Sequence, residues 1–506
     1  MNEAITNLWS APLLIIIPIL TAILVNLLYN RTRVIRAISV GAAIAVLAIA
    51  VVSPYGFHWF AGHPAVNSDG TYTFTASIFS WKLSLEYYYG PLQQILIGVM
   101  SLLLLFIVLI ATKSLNKNQG PYLAIVFLTY VSAAAVLMAN DFYHLWIAVE
   151  LGSLLVAGLV ASSGAAYAQK AALKYTFFSA LAGSGLAISL GLILGITGYV
   201  NITDAIHFLM VNDLGGMYAV LYVAFAFLSL AWVYAGGLVP VHPLKSDVYR
   251  SAFPHGAVLL QTQSKLMLVA IGIVMLRMFG PLPFATEIML AISLLTMIVG
   301  VVMALIQTDF RWILAYLIVS HSGLVTVGLS LGTYQGILGG LFQAVNDIIY
   351  MSILLICCEM LLYFGKGSTS IKFSGGIAKK SPLLTAFVIL GAFAASGIPP
   401  FNGFQSELII IQAALERGLP EIAAVVLMVS ISTFVALFRA IYSIFLRPVN
   451  EKTAESDTKQ FRMPSSVLVF LVVLLAISLV LGVYPQLALG FLNESALKVV
   501  LVPWVP

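Results

Sequence analysis

Long apolar runs alternate with short polar ones along this chain, and the apolar runs recur at a length that suits a lipid bilayer. A helix crossing the hydrocarbon core needs about 20 mostly apolar residues. Fourteen runs meet that need, at about 8–29, 34–54, 91–112, 121–139, 141–163, 168–196, 216–240, 255–279, 283–307, 309–331, 334–364, 382–416, 420–446 and 464–487. The longest polar intervals, about 55–90, 365–381 and 448–463, are too short to fold as a catalytic domain. The pattern predicts an all-α polytopic membrane protein of about 14 transmembrane helices.

Two of these spans are interrupted at depth. Span 7 ends in Ala235-Gly236-Gly237-Leu238-Val239-Pro240-Val241-His242-Pro243, and span 12 holds Ser396-Gly397-Ile398-Pro399-Pro400-Phe401-Asn402-Gly403-Phe404 between two apolar halves. Proline removes a donor and clashes with the preceding turn, so the helix must open there. Open backbone inside a membrane survives only against protein or a water-filled cavity. The breaks lie five spans apart, an odd number, so the second is inverted relative to the first. Broken helices at corresponding positions of inverted repeats point to an ion path, although each break alone also fits a packing kink. The expected organisation is residues 1–120 as spans 1–3 with an external loop, then 121–279 and 283–446 as two inverted five-helix repeats (spans 4–8 and 9–13). Residues 447–506 are expected to hold a cytoplasmic loop, span 14 and an external C-terminus.

Composition supports the membrane assignment. Of 506 residues 61% are hydrophobic and 8% charged, against about 25% charged in soluble proteins. The net charge of +5 has a topological meaning, because cytoplasmic loops retain Lys and Arg. With fourteen spans, seventeen cations fall in the intervals after spans 1, 3, 5, 7, 9, 11 and 13. Only Lys82, Arg277, Arg417 and Lys498 fall on the opposite side. Both termini are therefore expected on the outer side of a cell (inner) membrane. No basic cluster is interleaved with aromatics, so nucleic acid is not an expected partner. Cys357 and Cys358 are adjacent and match no metal-ligand spacing, and no removable signal peptide is expected. Phosphate-binding and dinucleotide motifs are lacking as well. No catalytic centre, cofactor or metal is expected in this chain.

Several charges lie inside spans, where each costs roughly 2.5–3.5 kcal/mol on insertion scales. They are Glu150 in span 5, Lys174 in span 6, Lys265 in span 8, His321 in span 10, Asp347 in span 11, Glu407 after the span-12 break and Arg439 late in span 13. Arg439 is close enough to an end to snorkel. His321 fits a neutral core imidazole as well as a relay, and Asp347 beside Asn346 also fits a helix–helix contact. Glu150, Lys174, Lys265 and Glu407 call for mutual pairing or a hydrated path, and alternating carboxylates and amines suit a proton relay.

These residues resemble the antiporter-like membrane subunits of respiratory NADH:quinone oxidoreductase, of M and N type. They are equally similar to large Mrp sodium/proton antiporter subunits and to their relatives in archaeal membrane-bound hydrogenases. The likeness runs from about 90 to 446. It includes Asn140-Asp141…Glu150-Leu151, Ala172-Leu173-Lys174-Tyr175, Pro240-Val241-His242…Asp247-Val248-Tyr249, Ser264-Lys265, Leu314-Ala315-Tyr316…Ser320-His321-Ser322-Gly323 and Ser396-Gly397-Ile398-Pro399-Pro400…Gly403-Phe404.

The resemblance implies a mid-membrane chain of protonatable residues. Glu150, Lys265 and Glu407 take the span-5, span-8 and span-12 places. The span-7 lysine falls on Ala235, and span 11 carries Asp347 and Met351 where the family commonly has histidine and lysine. Lys245 lies beyond the break, and Lys174 is a candidate partner for Glu150. Expected ion-pathway residues are Glu150, Lys174, Lys265, His321, Asp347 and Glu407, with helix breaks at Gly236, Gly237, Pro240, Pro399, Pro400 and Gly403. The implied function is a proton- or sodium-translocating or coupling subunit of a redox-driven respiratory complex, with a rewired or degenerate first half-channel. The alternative is a subunit of a stand-alone Mrp-type antiporter; an independent solute transporter fits least. Implied partners are other membrane subunits, a second antiporter-like subunit among them, and a redox module. Iron–sulfur clusters and nickel–iron or flavin are expected in those partners.

Overall fold

The computed structural model describes residues 10–28, 31–52, 72–78, 81–115, 119–212, 214–364, 369–371, 376–448 and 463–500. Twelve described helices are long and apolar enough to cross a membrane. The first and twelfth expected spans appear as shorter apolar pieces: α1 (Ser10–Leu27), and the pair α15 (Pro382–Ala395) and α16 (Asn402–Glu416). The termini, and with them the residues that would show their side, lie outside the described residues, as do Lys117, Lys366, Lys372, Lys452, Lys459 and Arg462.

The remaining order is α2 (Thr32–Val52), β1 (Tyr72–Ile78), β2 (Trp81–Tyr87), α3 (Pro91–Ser114), α4 (Gln119–Met138), α5 (Phe142–Ala161), α6 (Ala166–Thr197), α7 (Ile202–Val211), α8 (Tyr218–Gly236), α9 (His242–Ser251) and α10 (Pro254–Phe279). There follow α11 (Ala285–Ile306), α12 (Phe310–Ser330), α13 (Tyr334–Phe364), α14 (Ile377–Lys380), α15, α16, α17 (Pro420–Ile441), α18 (Ser465–Val483) and α19 (Gln486–Val500).

Four elements depart from the hydropathy reading. The interval read as an external loop contains an antiparallel hairpin, with Tyr72 opposite Tyr87 and Ile78 opposite Trp81. Its alternating sequence Tyr72-Thr73-Phe74-Thr75 has the period of a strand, too short to register in a window set for spans. Helix α7 buries Ile202, Ala205, Ile206 and Leu209, one stripe at helical spacing. Helices α9 and α19 fall where a loop and a terminal tail were expected.

The chain divides into two compact units. Unit 1 is Met1–Gly236, Thr262–Thr286 and Phe491–Pro506, and unit 2 is Gly237–Gln261 and Glu287–Gly490. The first boundary falls inside the span-7 break.

One local construction occurs in each unit. In unit 1, Asp141 caps α5 by accepting from the His144 N–H at 2.7 Å. Its neighbours close a bridge, Phe142 N to Val200 O at 3.1 Å and Ile202 N to Asn140 O at 2.8 Å. In unit 2, Asp309 caps α12 through the Arg311 N–H at 2.9 Å. The matching bridge joins Phe310 N to Thr369 O at 3.0 Å and Ile371 N to Thr308 O at 2.9 Å. An aspartate at this position satisfies orphan N–H groups of the first turn.

Candidate functional site

In unit 1, Glu150 lies on α5 where that helix meets α6 at Gly183. A Cβ added to Gly183 would stand 1.3 Å from Glu150 Oε1, so glycine is what gives the carboxylate its space. Trp146, one turn earlier, donates its indole N–H to Gly183 O at 3.1 Å and pins the same contact. Near the carboxylate, the Tyr234 hydroxyl donates to Tyr175 O at 3.0 Å, and the two rings lie 5.1 Å apart. Gly152, half a turn further on, abuts Ser132 of α4 and Gln263 and Met267 of α10.

No cation among the described residues pairs with Glu150. Lys174 is exposed and sits nine residues before Gly183 on α6, about 14 Å along the axis at 1.5 Å per residue. The structure does not bring these two residues together. Ala235, in the last turn of α8, is buried, a methyl group at the place where the resemblance leads one to expect an ammonium. Lys265 is fully buried on α10, where it has interaction partners.

Unit 2 holds a denser polar interior. His321 Nδ1 of α12 lies 2.9 Å from Asp347 Oδ1 of α13, and both side chains are buried. The Tyr350 ring packs edge-on against His321 at 5.3 Å, and its hydroxyl accepts from Gln343 Nε2 at 2.7 Å. Gln343 Oε1 in turn accepts from Ser406 Oγ at 2.5 Å. Asn346 and Asn402 exchange amide contacts: Asn346 Nδ2 donates to Asn402 O at 3.0 Å and to Ser406 Oγ at 2.9 Å, while Asn402 Nδ2 donates to Asn346 Oδ1 at 3.0 Å. Ser478 of α18 closes the group by donating to Asn402 Oδ1 at 2.6 Å. Such a network rigidifies an interior when its members are satisfied.

The breaks share one geometry. Gly237 and Gly397 have φ of 67° and 64°, in the left-handed region that glycine enters without penalty. Each is followed three residues later by a proline preceded by a cis peptide bond, Val239–Pro240 and Pro399–Pro400. The next half-helix then begins at His242 or Asn402. A charged side chain of that half-helix lies over each glycine. A Cβ on Gly237 would meet Lys245 Cγ at 2.4 Å, and one on Gly397 would meet Glu407 Oε2 at 2.2 Å. Gly403 packs its bare face on Ala394 O, closing the second break. Glu407 accepts from Ser430 Oγ at 2.6 Å, and beside both lies a cavity of about 430 Å³ lined also by Ser396, Phe404 and Phe434.

Among the expected residues, then, His321 joins Asp347, Glu407 stands at its break with a hydroxyl partner, and Lys265 is interior. Glu150 is half-buried without a cation, and Lys174 is peripheral. The sequence reading set Lys245 aside as lying at a cytoplasmic end, whereas the side chain is only 2% exposed. Its spacing of three and four residues from the apolar Val248 and Tyr249 was the signal available. Gln343, Ser406, Ser430 and Ser478 went unnoticed because they carry no charge, and it was charge that marked residues out inside the apolar runs.

Residues 139–436 match the family described as NADH:quinone oxidoreductase/Mrp antiporter, transmembrane. An uncharacterized protein of Methanocaldococcus jannaschii is 33% identical over 488 residues, covering 96% of this chain and 97% of that one. NADH-quinone oxidoreductase subunit N of Thioalkalivibrio sulfidiphilus is 27% identical over 384 residues, covering 74% of this chain and 77% of its own. Among solved structures, a chain of an archaeal membrane-bound sulfane sulfur reductase superposes with a TM-score of 0.84 at 23% identity, covering 97% of this chain and 98% of that chain. A chain of the Mrp complex from Dietzia superposes with a TM-score of 0.80 at 22% identity, covering 97% of each. With the broken helices, the buried acids and bases and this match over more than half its length, the chain belongs to the NADH:quinone oxidoreductase/Mrp antiporter transmembrane family.

Proposed function

We propose that this multi-pass membrane protein is an antiporter-like subunit of a redox-driven respiratory complex, moving or coupling the movement of protons or sodium ions. The carrying observation is the contrast at the two acids. Glu407 sits at a helix break beside a cavity, with Ser430 as partner and a buried polar network in the same unit. Glu150 has neither a break nor a cation beside it. The stroke belongs to unit 2, and the Ala235 half is degenerate. Rewiring through Lys174 finds no support in its exposed position.

The chain holds no motif for capturing chemical energy, and moving one charge against 100 mV takes about 2.3 kcal/mol. A redox module carrying iron–sulfur clusters with nickel–iron or flavin would supply that work, with a second antiporter-like subunit as a neighbour in the membrane. The cation-rich loops would face the cytoplasm in an inner membrane. An Mrp-type assembly driven by a gradient is compatible with the same fold and is not favoured by any particular contact.

The test is ion translocation by the assembled complex in proteoliposomes. Glu407→Gln is expected to lower it about a hundredfold, the scale of a lost acid–base group, and Glu150→Gln to leave most of it. A Glu150→Gln variant as inactive as Glu407→Gln would defeat the division of labour.

A further inference from the structure

A second acid–base pair lies in unit 2, away from the residues considered so far. His255, in the first turn of α10, is 1% exposed, and Glu359, near the end of α13, is 14% exposed. Imidazole Nδ1 lies 2.7 and 2.9 Å from the two Glu359 oxygens, and the His255 backbone N–H donates to Oε2 at 2.8 Å. Phe253 stacks on the imidazole at 5.4 Å, with the rings 6° from parallel. Two bonds to one carboxylate and a stacked ring fix the pair in a single arrangement. Asp309 and Arg311 lie within electrostatic reach of the adjoining Cys358, with the Arg311 guanidinium bonded to Ala252 O. This is the end of unit 2 at which the cation-rich interval after α13 begins.

Polar groups continue inward from the pair. Gln261, six residues along α10, donates through Nε2 to Ser352 Oγ and to Ile348 O, each at 3.3 Å. Ser352 lies two turns inward from Glu359 on the same face of α13, and Asp347 lies five residues deeper. The steps are about 10 Å and about 8 Å along the axis, each to be bridged by buried water held on these polar side chains. His255–Glu359, Gln261–Ser352 and His321–Asp347 thus form three successive rungs inside one unit.

We propose that His255 and Glu359 are the proton-loading site through which the interior of unit 2 exchanges protons with the cation-rich face. The mostly buried carboxylate, its edge open to that face, takes a proton from water there, the imidazole shares it, and Gln261 and Ser352 order the water that carries it to His321 and Asp347. This rests on the proton reading of the subunit's function.

The experiment measures protons translocated per redox turnover by the assembled complex in proteoliposomes. Glu359→Gln is expected to lower that ratio about a hundredfold, with Glu359→Asp restoring most of it because a titratable carboxylate returns. His255→Gln keeps polar contacts without an ionisable ring, and is expected to lower the ratio likewise; it carries the test alone should Glu359→Gln fail to assemble. Wild-type ratios in Glu359→Gln or His255→Gln, alongside loss in Glu407→Gln, overturn the loading site and leave the functional reading standing. A wild-type ratio in Glu407→Gln overturns that reading itself.

Discussion

Glu150 and Glu407 are both carboxylates inside apolar helices, yet the protein houses them by different means. Glu150 occupies a notch between two unbroken helices, its room provided by Gly183 and its surroundings by tyrosines. Glu407 stands on a half-helix that starts at a break, above a left-handed glycine and beside a cavity, with a serine in contact. In the frame set by the capping residues Asp141 and Asp309, the unit 2 position equivalent to Glu150 is Ile318, and the titratable His321 lies almost one turn further on. The two units share a capping aspartate and a bridge, and differ in the chemistry that follows. A charge at the right depth does not make an ion path; the polar partners that can pass a proton onward do.

The largest expected effect tests that statement directly. Asp347→Asn keeps the shape of the side chain and the contact with His321 but removes the acid, and translocation in proteoliposomes should fall about a hundredfold. Undiminished flux would return the His321–Asp347 pair to a structural role.

A smaller effect is expected from the backbone. Gly397→Ala forces an L side chain into a left-handed conformation and against Glu407, so the thermal midpoint in detergent should reveal a loss of about 2 kcal/mol. Gly237→Ala should cost at least as much, since the new methyl meets Lys245 Cβ and Cγ, held close to the α9 backbone, whereas at Gly397 it meets only the far end of Glu407. The smallest effect belongs to the periphery. Lys174→Ala should stay within about 0.5 kcal/mol of the parent in stability and leave translocation unchanged. Loss of pumping there would restore the rewired relay in unit 1.

The apolar runs, the breaks and the charges deepest in those runs could be read from the sequence, because a charge in an apolar run and a Gly/Pro cluster are strong departures from a uniform background. Sequence could not tell which charges meet. Lys174 and Glu150 sit on consecutive spans, and only the meeting point of α5 with α6 at Gly183 separates them. Lys245 illustrates the converse: a lysine past a break reads as a loop cation until α9 folds and tucks its stem over Gly237. The His255–Glu359 pair spans 104 positions of chain, and neither residue is deep enough in its run to stand out. Serines and amides carry no charge to mark them out within an apolar run, so the network around Asn346 and Asn402 was invisible.

The bare glycine beneath each break leaves a hollow that two different side chains fill. At Gly237 it receives the aliphatic stem of Lys245, eight residues on, and at Gly397 the carboxylate of Glu407, ten residues on. The turn sets the room, and the half-helix that follows decides whether methylenes or a charged group occupies it.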